Sequence, residues 1–262
     1  MYGKGRTAAR AIGPVLGILL LAGCADGGDD PFAIDPNAAA TGAAPVAKGP
    51  GPTATAGRPT ADSAPPSRTP EQAQALAASL ALTPEDWGTG FVRQSTYEFA
   101  GETFTDYAAD CTQRTVPLPP SLVGQWVRQV QLPGGAQATV LPSGSTAVLV
   151  HTDVRGAREQ VRNAHQVKDR CPTRTYPDGT RAKDTPGAAQ PTFAEADEAF
   201  AEEGLMYPKD GGEPYPYVVV TVRKDTVVMS SYFSAPDAAR LSEVRDRTTQ
   251  AARLMLDRLV RK

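Results

Sequence analysis

The spacing of apolar positions changes along the chain, and the changes mark its elements. Thr69-Pro70-Glu71 opens a helix: threonine can cap, proline suits the first turn, and an acid favours the positive dipole end. Leu76, Leu80 and Leu82 supply its apolar edge, and a second short start follows at Thr83-Pro84-Glu85-Asp86-Trp87. Phe91, Tyr97 and Phe99 lie on one side of an alternating stretch, as do Trp126, Val130 and Leu132, and both stretches predict strands. Ala147 to Val150 is apolar throughout and predicts a strand core. Val154, Ala157, Val161, Ala164, Val167 and Cys171 then recur at helical spacing, which puts Cys171 at the end of that helix's buried face.

The C-terminal third predicts strands over Glu198–Met206, Tyr215–Arg223 and Thr226–Phe233, the last two forming a hairpin across Lys224-Asp225. A final helix is expected from Ser234, with Pro236 in its first turn and Asp237 completing the cap. Its inner stripe is Leu241, Val244, Thr248, Ala251, Ala252, Met255 and Leu259, where Met255 reads as core packing. Helix, strands, helix, strands, helix gives the α+β class, with a largely antiparallel β-sheet packed against helices in a single domain over 69–262.

No period of 2 or 3.6 runs through residues 25–67, which are nearly all Ala, Gly, Pro, Thr, Ser and Asp. Such a segment buries too little surface to offset its ordering entropy, so 24–68 is expected to be a disordered tether. A flexible coil of about 40 residues spans roughly 35 Å. Before it, Lys4, Arg6 and Arg10 precede an apolar run from Ala11 to Ala22 that ends in Leu21-Ala22-Gly23-Cys24. The run is shorter than the roughly 20 residues a membrane-spanning helix needs and suits a signal peptide over 1–23. The arrangement resembles a bacterial lipobox, which implies cleavage before Cys24 and lipidation of its thiol with palmitate-type acyl chains. Two or more chains give stable anchoring, so the expected location is the outer face of the cytoplasmic membrane.

With Cys24 lipidated, two cysteines remain, and an even remainder in an exported chain predicts a disulfide between Cys111 and Cys171. No CxxC and no histidine cluster supports a metal or redox role for the pair. A formal net charge of −2 over 262 residues gives no reason to expect nucleic-acid binding, and no Lys/Arg stripe interleaves with aromatics. His151 with Asp153 and a nearby serine, Ser143 or Ser145, would be the raw material of a hydrolase triad. Pro142-Ser143-Gly144-Ser145 reads as a hairpin turn, however, and Asp153 as a helix cap. His165 is expected to be exposed. Glu195, Asp197, Glu198, Glu202 and Glu203 lack the oxygen-rich loop that calcium needs and read as a solvated strand face. No catalytic residue, cofactor or metal site is therefore assigned. Tyr97, Trp126, Tyr215 and Tyr217 are the candidate lining of a ligand cleft, with core packing as the alternative.

Five segments carry a resemblance to a known family: LTPEDW at Leu82–Trp87, AREQVRNAHQVKDRCP at Ala157–Pro172, ADEAF at Ala196–Phe200, the hairpin VVVTVRKDTVVMSSYF at Val218–Phe233, and the closing helix. Together they resemble actinobacterial lipoproteins and receptor ectodomains of the PknH-type extracellular sensor domain, over about 69–262. The resemblance implies an antiparallel sheet flanked by helices around a cleft, and sensing of an extracytoplasmic ligand without catalysis. The kinase ectodomain implies two disulfides, whereas this domain has one cysteine pair. The expected function is a membrane-anchored, non-enzymatic binding or sensing lipoprotein whose partner is a small ligand. The alternatives are an interaction module of an envelope complex and, third, a cell-wall or ester hydrolase.

Overall fold

The computed structural model describes residues 68–134 and 140–262. The signal peptide and all but the last residue of the tether, Cys24 included, lie outside the described residues. Helix α1 (Pro70–Leu80) starts as the sequence predicts. The Thr69 hydroxyl accepts from the Gln72 amide at 3.3 Å, and the Gln72 side chain accepts from the Thr69 amide at 3.0 Å. Helix α2 (Pro84–Trp87) is one turn long. Then follow β1 (Val92–Phe99), β2 (Thr103–Tyr107), β3 (Gln113–Pro117), β4 (Leu122–Gln131), β5 (Ser143–His151), α3 (Val154–Arg170), β6 (Thr173–Thr175), β7 (Arg181–Asp184), β8 (Glu198–Tyr207), β9 (Tyr215–Lys224), β10 (Val227–Ser234) and α4 (Leu241–Val260).

Eight strands form one sheet in the order β1-β4-β5-β10-β9-β8-β7-β6, antiparallel at every step, while β2 and β3 pair only with each other. Strand β9 shows why its sequence is so continuously apolar: both of its faces are covered. Val218, Val220 and Val222 join the core beneath α1, α2 and α4, with Met229, Phe233, Met255 and Trp87. Tyr217 and Val219 point to the opposite face, which α3 and the β2–β3 hairpin cover. On the α4 side Trp87 stacks on Phe233 at 5.8 Å, and the Arg247 guanidinium lies 5.5 Å from the Phe91 ring centroid and 5.7 Å from that of Phe233.

Helix α1 approaches β4 closely because residue 124 is glycine. A Cβ built at Gly124 would lie 2.6 Å from the Ala73 backbone carbon. Backbone cannot rotate out of the way, so Gly124→Ala should push α1 off the sheet at a cost of about 2 kcal/mol. Chemical denaturation checks this, and no side-chain trimming at Ala73 should rescue it.

Two boundaries differ from those the sequence predicts. The last helix begins at Leu241, because Ser234 completes the β10 ladder opposite Ser143 and Tyr217. Asp237 instead caps a 3₁₀ turn over Ala238–Arg240, accepting from the Ala239 amide at 2.8 Å. Ser143, Gly144 and Ser145 belong to β5 and not to a turn. Gly144 leaves room for the Trp87 ring, and Ser145 pairs in register with Gln129 and Tyr232.

Candidate functional site

Alternation along β4, β5, β10, β9 and β8 sets a row of side chains across the α3 face. Gln129 stands opposite Ser145, Ser145 opposite Tyr232, Tyr232 opposite Val219 and Val219 opposite Glu202. All five are buried. The row ends at Arg174 on β6, which is fully buried. Its Nη1 donates to Glu202 Oε1 at 3.0 Å and Oε2 at 3.3 Å, and its Nη2 donates to Tyr217 Oη at 2.8 Å and to Asp184 Oδ1. Tyr217 Oη also donates to Asp184 Oδ1. One guanidinium thus serves two carboxylates, which is the condition for keeping charge inside a fold. Burial, and then the Glu202 charge, raise the Asp184 carboxyl above its ordinary range.

Tyrosines wall this centre. Tyr176, Tyr215, Tyr217 and Tyr232 share one buried cluster, and Tyr107 sits 5.8 Å (ring centroid) from the Arg174 guanidinium carbon. Five of the chain's eight tyrosines therefore converge on one face, which combines aromatic bodies with polar tips. Burial pushes the Tyr215 hydroxyl up to about 12.

The predicted disulfide Cys111–Cys171 is present, with its Cα atoms 5.4 Å apart. It fastens the β2–β3 turn to the end of α3. The Thr175 amide donates to the Cys111 carbonyl at 3.0 Å, and Arg170 Nη2 donates to the Tyr107 carbonyl at 3.1 Å. Farther along the hairpin, Gln125 Nε2 donates to the Thr103 carbonyl at 3.3 Å. The hairpin therefore touches β4 at one end and the Arg174 centre at the other.

The four candidate aromatics separate into two pairs. Tyr215 and Tyr217 belong to the tyrosine cluster. Tyr97 and Trp126 pack on the opposite face, against the core beneath α1. There Trp126 Nε1 donates to Glu98 at 3.3 Å, and the Arg93 guanidinium covers the Tyr97 ring at 4.5 Å. The four do not line one cleft.

The triad members do not assemble. His151 Nδ1 lies 3.4 Å from Ser121 Oγ, and Asp153 instead accepts from the Gly156 amide at 2.8 Å as the cap of α3. Ser143 Oγ meets Ser234 Oγ at 3.0 Å, and Ser145 stands six residues from His151 on the same strand, roughly 20 Å away. Burial drives the His151 imidazole from its ordinary 6.5 down to about 4, with Asp153 opposing the shift. A base whose folded value is depressed contributes stability above its unfolded value and loses it on acidification. Unfolding free energy should therefore fall by about 3 kcal/mol between pH 6.5 and pH 4 on account of His151. Denaturant titrations of wild type and His151→Gln at several pH values check this, and the variant should lose that part of the slope.

Of the acidic set, Glu195 and Asp197 are exposed, Glu198 is partly so, and Glu202 and Glu203 are buried; the last four of the five form ion pairs. Glu202 meets Arg174, Glu203 holds Arg245 through two 2.7 Å bonds, and buried Arg223 takes Asp197 at 2.8 Å and Glu198 at 3.1 Å. Strand alternation sends Glu202 and Glu203 to opposite faces, so each finds a different arginine. Among the described residues no group of three His, Cys, Asp or Glu side chains forms a metal site, and no helix is long and apolar enough to cross a membrane. His165 is exposed, with its ring 4.3 Å from that of Phe200.

A groove of about 860 Å³ runs along α3 between Ser121 and Glu198, beside Arg158, Arg162 and His165. Its charges are mutually matched: Arg158 faces Glu198 at 3.9 Å and Arg162 faces Glu159 at 3.3 Å. Exposed pairs of this kind contribute little, about 0–1 kcal/mol each.

Of this centre the sequence names Tyr217 as a candidate lining residue but not Arg174, Asp184 or Glu202. Two signals point to them. Tyr176-Pro177-Asp178-Gly179-Thr180 is a strong turn sequence, and it joins β6 to β7, with Gly179 at φ +86°. Glu202 shares the strand face of Phe200 and Met206, so it points inward and requires a cation.

No protein-family model matches the chain, and no curated protein matches it. Among solved structures it is similar to the extracellular domain of PknH from Mycobacterium tuberculosis, with 10% sequence identity and a TM-score of 0.43, over 72% of this chain and 97% of that one.

Proposed function

We propose that this chain is a lipid-anchored, extracytoplasmic binding domain without catalytic activity. Cys24 carries the anchor, residues 24–68 hold the domain off the membrane, and residues 69–262 receive a small ligand on the α3 face. One observation carries this reading: the buried polar row from Gln129 to Arg174 is walled by tyrosines, which combine aromatic bodies with polar tips. The Cys111–Cys171 disulfide supports export, since such bonds persist in oxidising compartments and are rare in the cytosol.

Thermal melting of the protein against wall fragments, lipids and small metabolites tests the proposal. A ligand that binds the folded state raises the midpoint by mass action. A flat response across all three classes would rule out small-ligand binding. The groove along α3 favours a second reading, an interaction module of an envelope complex, since its exposed charges of both signs suit a protein partner. A photo-crosslinker at Arg162 that captures a stoichiometric partner in cells would select it.

A further inference from the structure

The Arg174 centre holds an unequal set of charges. Two carboxylates and one guanidinium are sealed together, the side chains of Glu202, Asp184 and Arg174 being 2%, 6% and 0% exposed. With both acids ionised the centre carries one uncompensated negative charge, and a single bound proton brings it to neutrality. A sealed net charge is costly, so the folded state favours the proton.

Hydrogen bonding decides which acid takes it. Both Glu202 oxygens accept from Arg174 Nη1. Asp184 uses only Oδ1, which accepts from Arg174 Nη2 and Tyr217 Oη, while its Oδ2 is buried without a partner. A bare oxygen stabilises the ionised form poorly, so Asp184 is the site of the proton. Tyr217 from β9, Tyr176 from the β6–β7 turn and Tyr107 from β2 also face the centre, and burial pushes all three hydroxyls up, which keeps them neutral. Lys168 and Arg170, at the end of α3, are taken by the Ala201 and Tyr107 carbonyls at 3.3 and 3.1 Å. Lys183 and Glu203 neighbour Asp184 and Glu202 along their strands and alternate to the opposite face. Among the described residues Arg174 is the only cation paired with either acid.

We propose that Asp184 and Arg174 form a proton-operated latch on the β6–β7 hairpin, closed while Asp184 holds its proton and loosened once it ionises. The hairpin is the part of the sheet free to respond. Strand β6 is outermost and three residues long, and β7 joins β8 through four register pairs. Arg174 on β6 and Asp184 on β7 tie both hairpin strands to Glu202 and Tyr217 further in. Opening this edge lets water reach the excess charge while β9, β10 and β5 stay paired. Burial, and then the Glu202 charge, lift Asp184 from 3.8 to about 6. Since the folded value is raised, the closed hairpin keeps its full stability below the ordinary carboxylate range and loses it as the pH rises towards the raised value. The latch needs no ligand, because the proton is its effector.

The test is hydrogen exchange of the full chain at about pH 4.5 and about pH 7, with rates corrected for intrinsic exchange, in wild type and Asp184→Asn. In wild type, amides of residues 173–184 should lose protection about tenfold or more at the higher pH, relative to those of β5 and β10. The variant, whose carboxamide is neutral at both pH values, should show no such loss. Equal relative protection at the two pH values in wild type overturns the latch. A loss shared equally by β5 and β10 overturns the hairpin as the moving part, and a loss that persists in the variant overturns Asp184 as the proton's site. Should the variant fail to fold, carbon-13 titration of the wild-type Asp184 carboxyl decides: a midpoint near 6 supports the latch, and one in the ordinary aspartate range overturns it.

Discussion

Arg174→Met should unfold far more easily than wild type, by about 3–5 kcal/mol, or a melting point lower by roughly 10 °C for a domain of this size. The methionine fills most of the volume, so the loss measures charge and not a cavity. Without the guanidinium, Glu202 and Asp184 are left as two buried carboxylates with no counter-ion. The prediction has a built-in control. Adding Glu202→Gln and Asp184→Asn to Arg174→Met removes the uncompensated charge and should recover a large part of the loss, because a neutral core of similar volume often equals a buried ion pair in stability. If the triple variant is as unstable as the single one, the centre acts by shape and not by charge. Asp184 adds a pH signature. Its folded value is raised, so its contribution is fully present below the ordinary carboxylate range and is lost as the pH rises through the raised value. Asp184→Asn should abolish that component, which runs opposite to the slope expected from His151.

The second large effect is expected on opening the disulfide. Cys111 and Cys171 are 60 positions apart, and closing a loop of that length contributes about 4 kcal/mol in the chain-entropy account. Cys111→Ser/Cys171→Ser should lose stability of that order. The loss should appear first in the β2–β3 hairpin, which pairs only with itself and is held by the bond, by the Thr175–Cys111 backbone contact and by buried Phe104 and Tyr107. Hydrogen exchange resolves the distribution. Amides of residues 103–117 should exchange faster in the variant, while those of β5, β9 and β10 keep their protection. Uniform deprotection of the sheet would mean that the hairpin and sheet form one cooperative unit.

These effects also show what the sequence reveals. Long elements with one apolar face were legible: α1 from its cap, α3 from six recurring apolar positions, β9 and β10 from their continuous valines. The cysteine pair followed from counting. What escaped were strands too short or too polar to show a period: β2, β3, β6 and β7, of three to five residues each. Their pairing is fixed by tertiary contacts, chiefly the disulfide and the Arg174 centre. The candidate site was half legible for a related reason. A tyrosine on a strand looks the same in sequence on either face, and only the register separates Tyr215 and Tyr217 from Tyr97 and Trp126. Buried ion pairs are harder still, since Arg174 and Glu202 are 28 residues apart and nothing local to either names its partner.

In the proposed function the domain is exported, tied to a membrane by acyl chains on Cys24 and closed by the Cys111–Cys171 disulfide. Intact-mass and peptide mass spectrometry of the protein taken from membranes of its own cell addresses this most directly. The expected product starts at Cys24, carries covalent acyl groups on that residue, and contains a Cys111–Cys171 cross-linked peptide. A product that begins at Met1 with three free thiols would contradict it.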